Sequence, residues 1–274
     1  LAINSGSVAV VAETENPNSD HAVPWVKVPN GREAMSVMSD IFNNSPSEEL
    51  TIIGVTGTNG KTTTSYMIHH LLDLGHRRSG LIGTIKYDLK SDNEIEATRT
   101  TPEAIDLQNY LSQMISNGCC SAVMEVSSHA LSQSRTSHVY YDVGVFTNLS
   151  HDHLDYHGNM DRYFNAKKIL FEQLSNNEVK NKAVAVINSD DDWGRKLVHY
   201  LSNKKVKTVT YGLANGADYR AVDLRLTKTS IEFAIEVGSR KFKSSIPLVG
   251  RFNIYNALAA LASCAAVGLN VRET

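Results

Sequence analysis

The chain has 274 residues, of which 42% are hydrophobic and 20% are charged, and its 27 basic and 29 acidic side chains give a formal net charge of -2. This composition is typical of a globular protein with one large or two smaller domains, and it lacks the basic excess of proteins that bind nucleic acid or anionic membranes. No apolar run is long enough to span a bilayer, so we expect neither a nucleic-acid nor a membrane partner.

The first 46 residues predict a small unit of their own. Short strands are expected at residues 8–12 and 25–28, followed by an amphipathic helix over 32–42. The polar run at 43–47 predicts a linker, and we place a domain boundary there, between segments 1–46 and 47–274.

Beyond residue 47, predicted strands and helices alternate. Strands are expected at 50–55, 79–85, 121–126, 143–149 and 183–187, and helices at 61–74, 102–117, 160–174 and 191–201. Thr101 is the predicted N-cap of the second of these helices, with Pro102 at its first position. A short-stranded, antiparallel part is expected over 206–248, before a closing helix over 252–267. The predicted fold class is α/β, with a mostly parallel sheet, helices on both faces and a small antiparallel β part.

The strongest chemical signal is a glycine-rich turn between the first of these strands and its helix. It comprises Gly57, Thr58, Asn59, Gly60, Lys61, Thr62 and Thr63. Backbone N–H groups in such a turn converge on phosphate oxygens, Lys61 can reach the terminal phosphates, and the Thr62 hydroxyl can bind Mg²⁺. The general phosphate-loop pattern has a Gly where this chain has Val55, so the loop is a shortened variant. The alternative is a turn that binds no ligand.

Acidic and imidazole groups follow two later predicted strands. Glu125 ends a buried strand, where a carboxylate would lie beside a nucleotide crevice and suit Mg²⁺. It could instead face solvent. A second group follows residue 149 and contains His151, Asp152, His153, Asp155 and His157. Two of these histidines could suggest zinc, but no Cys or third His arrives at a suitable spacing, and each could be a hydrogen-bonded loop residue.

Four segments together resemble the Mur ligase family. They are GTNGKTT at 57–63, TRTTP at 98–102, EVSSHALSQSR at 125–135 and TNLSHDHLDYHG at 147–158. The loop is also similar to that of folylpolyglutamate synthases, but the other three segments resemble the Mur ligases that add the third amino acid to UDP-N-acetylmuramoyl-dipeptide. Members of the family have a longer N-terminal UDP-binding domain and a C-terminal amino-acid-binding domain. We expect residues 1–46 to be a remnant of the first domain and the second to be absent.

The resemblance implies an ATP-dependent ligase with two Mg²⁺ sites that works in peptidoglycan biosynthesis. ATP would phosphorylate the free carboxylate of the dipeptide precursor, and the amine of meso-diaminopimelate, L-lysine or another amino acid would attack the acyl phosphate. The family pattern implies metal contacts from Thr62, Glu125, His153 and Lys167, with Lys61, Glu125, His153 and Lys167 as catalytic groups. It implies adenine contacts from Asn253 and Asn256, and substrate contacts from Thr100, Thr101, Ser127, Gln133 and Arg135.

Lys167 stands out in the helix predicted over 160–174. At about 100° per residue, it lies near the centre of the apolar stripe, whereas Lys168 lies off its edge. A buried lysine has a lowered pKa, and its neutral amine can add CO₂. The family resemblance agrees, because YFNAK at 163–167 matches the segment that bears a carbamylated lysine. The alternative is a side chain that extends along the helix to water.

Three further expectations concern context. The cysteines are Cys119, Cys120 and Cys264, none of them in a metal-ligand pair, so a reducing compartment, the cytoplasm, is expected. A monomer is expected as well. The rival functions are a folylpolyglutamate-synthase-like ligase, a non-catalytic nucleotide-binding fragment or regulatory module, and a phosphate-loop NTPase that acts as a mechanical switch.

Overall fold

Thirteen strands and nine α-helices occur in the part of the chain that the computed structural model describes, residues 3–17, 23–93 and 95–270. The strands are β1 (Val10–Ala12), β2 (Trp25–Lys27), β3 (Thr51–Thr56), β4 (Ser79–Ile82), β5 (Lys86–Asp88), β6 (Ile95–Glu96), β7 (Ser121–Glu125), β8 (Val143–Phe146), β9 (Val184–Asn188), β10 (Lys207–Gly212), β11 (Tyr219–Leu226), β12 (Ile231–Val237) and β13 (Arg240–Ile246). The helices are α1 (Gly31–Phe42), α2 (Pro46–Glu49), α3 (Lys61–Leu74), α4 (Ala104–Ser116), α5 (Ser128–Ser132), α6 (Leu154–His157), α7 (Met160–Ser175), α8 (Asp192–Leu201) and α9 (Phe252–Ala266). A 3-10 helix covers Ile3–Ser5.

Eleven strands form one sheet in the order β13-β12-β11-β10-β9-β8-β3-β7-β4-β5-β6, and β1 and β2 form a separate parallel pair. The seven neighbouring strands from β11 to β4 are parallel, while β12 and β13 at one edge and β5 and β6 at the other are antiparallel. The α/β prediction is confirmed. The antiparallel prediction was wrong for β10, which pairs in parallel with both β9 and β11, because α8 carries the chain back before β10 begins.

Alternate residues of the buried strands separate two apolar layers. Ile52 packs with α4, α7 and α8 on one face of the sheet, whereas its neighbour Ile53 packs with α3 and α9 on the other. Both side chains are fully buried. This double covering explains why the central strands read as continuous apolar runs.

Several local boundaries differ from the sequence prediction. Thr101 is not the N-cap of α4: the helix begins at Ala104, and Glu103 occupies the cap position. The Thr101 hydroxyl instead donates to the Glu125 carbonyl oxygen at 2.8 Å, a tertiary contact that local capping rules do not detect. The linker predicted at 43–47 includes the start of α2, and the strand predicted to residue 149 ends at Phe146. The predicted domain limits at residues 1 and 274 lie outside the described residues.

No helix among the described residues has the length and apolar character needed to cross a membrane. The carboxyl ends of the parallel strands meet at one edge of the sheet, as in other open α/β folds, where ligands bind in the crevice beyond the strands. Three of the predicted site segments follow β3, β7 and β8 at this edge, and the segment 98–102 follows β6.

Candidate functional site

The phosphate loop lies between β3 and α3 and is fastened to the segment after β8. Gly57 has a φ of 150°, and a Cβ there would overlap the Thr147 hydroxyl. The Thr58 and Asn59 N–H groups donate to Asn148, at 2.9 Å and 3.0 Å, and the Thr147 hydroxyl donates to the Asn59 carbonyl at 2.6 Å. The loop conformation is therefore fixed by tertiary contacts before any ligand binds.

Lys61 folds back over this loop. Its ammonium group donates to the Gly57 and Thr58 carbonyl oxygens, both at 3.0 Å. Burial lowers the pKa of Lys61, and the nearby Glu125 and Asp152 carboxylates oppose that effect. The cation therefore lies at the point where the terminal phosphates of a nucleotide would enter.

Glu125 ends β7 as a fully buried carboxylate, so the prediction that it could face solvent was wrong. It accepts hydrogen bonds from the Thr62 hydroxyl at 2.9 Å, the Thr84 N–H at 2.9 Å and the Thr84 hydroxyl at 3.0 Å. A carboxylate and a threonine hydroxyl in contact form an oxygen donor set that suits Mg²⁺. Thr84 was missed in the sequence, because only the strand order reveals that β4 lies beside β7.

Within the described ranges, the structure has no group of three or more His, Cys, Asp or Glu side chains arranged to hold a metal ion. His151 is exposed. His153 is half-exposed, with its Nε2 3.4 Å from Asp152 Oδ2 and its ring centroid 6.0 Å from that of Tyr163. His153 and Lys167 thus both contact the ring of Tyr163.

His157, by contrast, is buried. Its Nε2 lies 2.9 Å from the Ser128 hydroxyl, and its ring stacks on Tyr163 with centroids 4.9 Å apart. Burial, helped by the nearby His129 and Lys167, lowers the pKa of His157 to about 4. The neutral ring joins the start of α5 to α7, consistent with the expectation of a hydrogen-bonded residue.

Lys167 is 1% exposed, so the alternative in which it extends to water was wrong. Its Nζ donates to the Gly57 carbonyl oxygen at 2.9 Å and lies 4.5 Å from the centre of the Tyr163 ring. Burial lowers the pKa of Lys167 well below its usual value, and the neighbouring Lys61 lowers it further, against a smaller opposing effect of Asp152. The amine that carbamylation requires is the neutral form that this environment favours.

The predicted substrate residues converge beside Glu125. The Arg135 guanidinium is buried and donates to the Thr101 carbonyl at 3.0 Å and to Gln133 Oε1 at 2.6 Å. The Ser127 N–H donates to the Thr101 hydroxyl at 3.0 Å. Arg135 and Gln133 lie just beyond α5, where the chain turns back towards β8. The structure thus brings the segments at 98–102 and 125–135 together.

Glu103 is a second residue that the sequence analysis missed. Its carboxylate lies 3.1 Å from Arg135, 3.0 Å from Arg99 and 3.9 Å from Arg32. Three guanidinium groups from three different segments thus face one carboxylate. No local pattern predicts this grouping, because α1 and α4 pack together only in the folded chain.

A cavity of about 260 Å³ opens beside the phosphate loop. Its lining residues are Asn59, Gly60, Thr147, Asn148, Asn188, Tyr211, Phe252, Tyr255 and Asn256. The two predicted adenine residues differ. Asn256 lines the cavity, whereas Asn253 lies behind it, accepting a hydrogen bond from the Asn256 amide at 3.0 Å and donating to the Val249 carbonyl at 2.8 Å. Asn253 therefore orients Asn256.

Comparison with known proteins gives a consistent match. The model of the Mur ligase middle domain matches residues 55–264. The UDP-N-acetylmuramoyl-L-alanyl-D-glutamate–2,6-diaminopimelate ligases of Listeria monocytogenes and Geobacillus thermodenitrificans are 39% and 41% identical to the chain, over 99% and 98% of its length and 54% of their own. The chain spans about half the length of the curated relatives it matches.

Solved structures agree with the sequence match. A structure of a UDP-N-acetylmuramoyl-L-alanyl-D-glutamate–2,6-diaminopimelate ligase superposes with a TM-score of 0.85 at 32% identity, covering 99% of this chain and 54% of that one. Mycobacterium tuberculosis folylpolyglutamate synthase complexed with ADP gives a TM-score of 0.68 at 16% identity over 85% of this chain and 58% of that one. The second likeness concerns the fold alone.

Proposed function

The chain belongs to the Mur ligase family, and from that membership we propose that the protein carrying it is an ATP-dependent ligase that adds the third amino acid to UDP-N-acetylmuramoyl-L-alanyl-D-glutamate. The relatives that match it are 2,6-diaminopimelate ligases, and this similarity favours meso-diaminopimelate over L-lysine. We also propose that it acts as a monomer in the cytoplasm. Three free thiols, Cys119, Cys120 and Cys264, support a reducing compartment.

The observation that carries the proposal is the position of Glu125 between the two predicted binding regions. Its carboxylate accepts from Thr62, which begins the helix after the phosphate loop. Its carbonyl accepts from Thr101 of the predicted substrate segment. A nucleotide on the loop and a carboxylate near Thr101 would therefore meet at one residue, as transfer of a phosphoryl group requires.

The reaction then follows from the geometry of the chain's own groups. Lys61 would bind the terminal phosphates, and Arg135 would orient the substrate carboxylate through its planar guanidinium. Mg²⁺ held by Glu125 and Thr62 would neutralise phosphate charge. A carboxylate oxygen would attack the γ-phosphorus as the bond to ADP breaks, giving an acyl phosphate. The amine of the incoming amino acid would next attack the acyl carbon, lose a proton and displace phosphate.

We extend the proposal to a second Mg²⁺ site formed by His153 and a carbamylated Lys167. The neutral amine of Lys167 would add to the carbon of CO₂ and lose a proton, leaving an anionic carbamate. Both side chains face the Tyr163 ring, at 6.0 Å and 4.5 Å, which supports a shared location. Labelled bicarbonate should give a carbamate carbon signal in NMR spectra of the protein that is lost in Lys167→Met.

The proposed activity is tested with the full-length protein that contains this chain. UDP-N-acetylmuramoyl-L-alanyl-D-glutamate, ATP, Mg²⁺ and meso-diaminopimelate should give the tripeptide, with one ADP formed per amide bond, and L-lysine should react more slowly. Lys61→Ala is the matched control. ATP hydrolysis that needs no dipeptide would contradict the proposal and favour a mechanical NTPase. Glutamate addition to a folate would favour the folylpolyglutamate-synthase alternative.

A further inference from the structure

Thr84 contacts both the predicted metal carboxylate, Glu125, and one predicted substrate threonine, Thr100. It follows β4 and lies beside the end of β7, since Ile82 pairs with Met124 in the sheet. Its N–H donates to Glu125 Oε1 at 2.9 Å and its hydroxyl donates to Oε2 at 3.0 Å. The same hydroxyl oxygen lies 3.2 Å from the Thr100 hydroxyl oxygen. One side chain therefore links two functional regions.

The chain passes close to the Glu125 carboxylate at Gly83, the residue before Thr84. A Cβ added to Gly83 would lie 2.5 Å from Glu125 Oε1. The approach allows the Thr84 N–H to hold one carboxylate oxygen in place while the hydroxyl reaches the other. Thr84 thus donates to both oxygens of the Glu125 carboxylate, one from its N–H and the other from its hydroxyl.

The number of hydroxyl hydrogens available around Glu125 determines which group donates in each hydrogen bond. A hydroxyl has one hydrogen, and Thr84 gives its hydrogen to Glu125, so its oxygen must accept from Thr100. Oε2 also accepts from Thr62 at 2.9 Å, and its two lone-pair sites are then filled. The order of donation is Thr100 to Thr84 to Glu125.

Among the described residues, Oε1 accepts only the Thr84 N–H, whereas a cation held by Oε2 together with the Thr62 hydroxyl would compete with one of the two hydroxyls that donate to Oε2. The Thr62 hydroxyl can keep its bond, because its own oxygen lone pairs are free to ligate the same cation. The Thr84 hydroxyl would then be the donor that turns away, and the Thr100 hydroxyl oxygen, at 3.2 Å, can accept its hydrogen. The hydrogen of Thr100 would then be free to bind a substrate oxygen.

We propose that Thr84 is a positioning residue that couples cation binding at Glu125 to substrate binding at Thr100. A cation at Oε2 reverses the Thr84–Thr100 hydrogen bond and converts Thr100 into a donor for the substrate. The inference rests on the proposed function, because the substrate is the muramoyl dipeptide. By linkage, the dipeptide tightens cation binding by the same factor by which the cation tightens dipeptide binding.

The test measures dipeptide affinity by calorimetry in the full-length protein with a non-hydrolysable ATP analogue, once with saturating Mg²⁺ and once with EDTA. The ratio of the two dissociation constants is the coupling factor, which we expect to be about tenfold in the wild type. Thr84→Val keeps the N–H and the side-chain volume and should reduce the factor to near one. Thr84→Ser keeps the hydroxyl and should restore it. Thr229→Val removes an exposed hydroxyl from the β11–β12 turn and should change nothing.

Each failure has its own signature. A coupling factor that survives in Thr84→Val, or that is already near one in the wild type, would overturn the inference and leave the proposed function intact. Absence of dipeptide binding to the wild-type protein, with nucleotide binding retained, would overturn the proposed function and the inference together. Thr84→Ala replaces Thr84→Val if thermal unfolding shows that the valine variant does not fold.

Discussion

The two buried cations of the crevice are held in opposite ways. Lys167 is 1% exposed, and its described contacts are a carbonyl oxygen of Gly57 and the Tyr163 ring, with a second ammonium, Lys61, nearby. Arg135 is 7% exposed and contacts the Glu103 carboxylate at 3.1 Å. Lys167 is thus buried against neutral groups, with Lys61 and the more weakly acting Asp152 nearby, whereas Arg135 is buried in contact with a counter-ion.

Their different surroundings suit Lys167 to react and Arg135 to bind an anion. Burial lowers the pKa of Lys167 well below its usual value, Lys61 lowers it further and Asp152 opposes this only in part, which favours the nucleophilic amine. Burial also lowers the pKa of Arg135, but Glu103 opposes the effect and a guanidinium stays protonated in proteins. Arg135 therefore keeps its charge for a carboxylate or phosphate, and a bound substrate must share it with Glu103.

The largest expected effect is on kcat and comes from replacing Lys167. Lys167→Ala should lower kcat by about a thousandfold, the upper range for loss of one charge-stabilising group. Small added carboxylates should restore part of the rate. Lys167→Met should leave the free energy of unfolding unchanged or raise it by about 1 kcal/mol, because an apolar group replaces a buried amine whose contacts are a carbonyl oxygen and a ring rather than a carboxylate.

Lys168 is the matched control for that experiment. It lies on the same helix but is partly exposed and pairs with Glu172 at 3.4 Å. Lys168→Ala should leave kcat within about twofold of the wild type, because a surface ion pair contributes at most about 1 kcal/mol to stability and this one does not face the crevice. Retained activity in Lys167→Ala, or equal losses in both variants, would contradict a special role for Lys167.

The next largest effect is expected on nucleotide binding and comes from replacing Lys61, which lies near Lys167. Lys61→Ala should weaken Mg-ATP binding on the order of a hundredfold, because charge-assisted hydrogen bonds to phosphate contribute about 3 kcal/mol. Calorimetry with the chain itself measures this directly. Equal affinity in the variant and the wild type would remove Lys61 from the phosphate site.

A smaller effect is expected from replacing Arg135, the cation that is paired with Glu103. Arg135→Ala in the full-length protein should raise KM for the dipeptide about tenfold, the effect of losing one charge-assisted contact partly screened by Glu103. KM for ATP should stay nearly constant. A change confined to KM for ATP would mean that Arg135 binds the nucleotide, as Lys61 is proposed to do, and not the dipeptide.

The smallest effect is on pH-dependent stability. His157 has a folded-state pKa of about 4, below its ordinary value near 6.5, so the unfolded chain binds more protons between these values. The stabilisation from the neutral ring is complete above about pH 6.5 and is lost as the pH falls towards 4. In urea unfolding, the stability difference between wild type and His157→Gln should shrink over this range. A constant difference would show that His157 does not titrate differently on folding.

Sequence patterns predicted the parts of the molecule that depend on local periodicity. The apolar runs and the glycine-rich turn gave the central parallel strands, and α3 begins and ends where predicted, at Lys61 and Leu74. The apolar stripe of α7 placed Lys167 on the buried face of the helix but left open whether its side chain extends to water, and the structure shows it 1% exposed. These predictions succeed because the residues of a single helix or strand largely determine which of its faces is buried.

The missed residues depend on which elements become neighbours. Thr84 reaches Glu125 only because β4 lies beside β7, and Glu103 meets Arg32 only because α1 packs on α4. Thr101 obeys the local rule for a helix cap but uses its hydroxyl for the Glu125 carbonyl instead. The strand order and helix packing that create these contacts are properties of the whole sheet, and no single segment encodes them.

Phosphoryl transfer to the substrate is tested most directly by labelling the free carboxylate of the dipeptide with heavy oxygen. If the carboxylate attacks ATP and the resulting acyl phosphate is then displaced by the amine, one labelled oxygen must leave in the inorganic phosphate. Mass spectrometry of the phosphate released during amide formation by the full-length protein should therefore show one heavy oxygen per turnover. Unlabelled phosphate formed together with the amide would contradict transfer through the carboxylate.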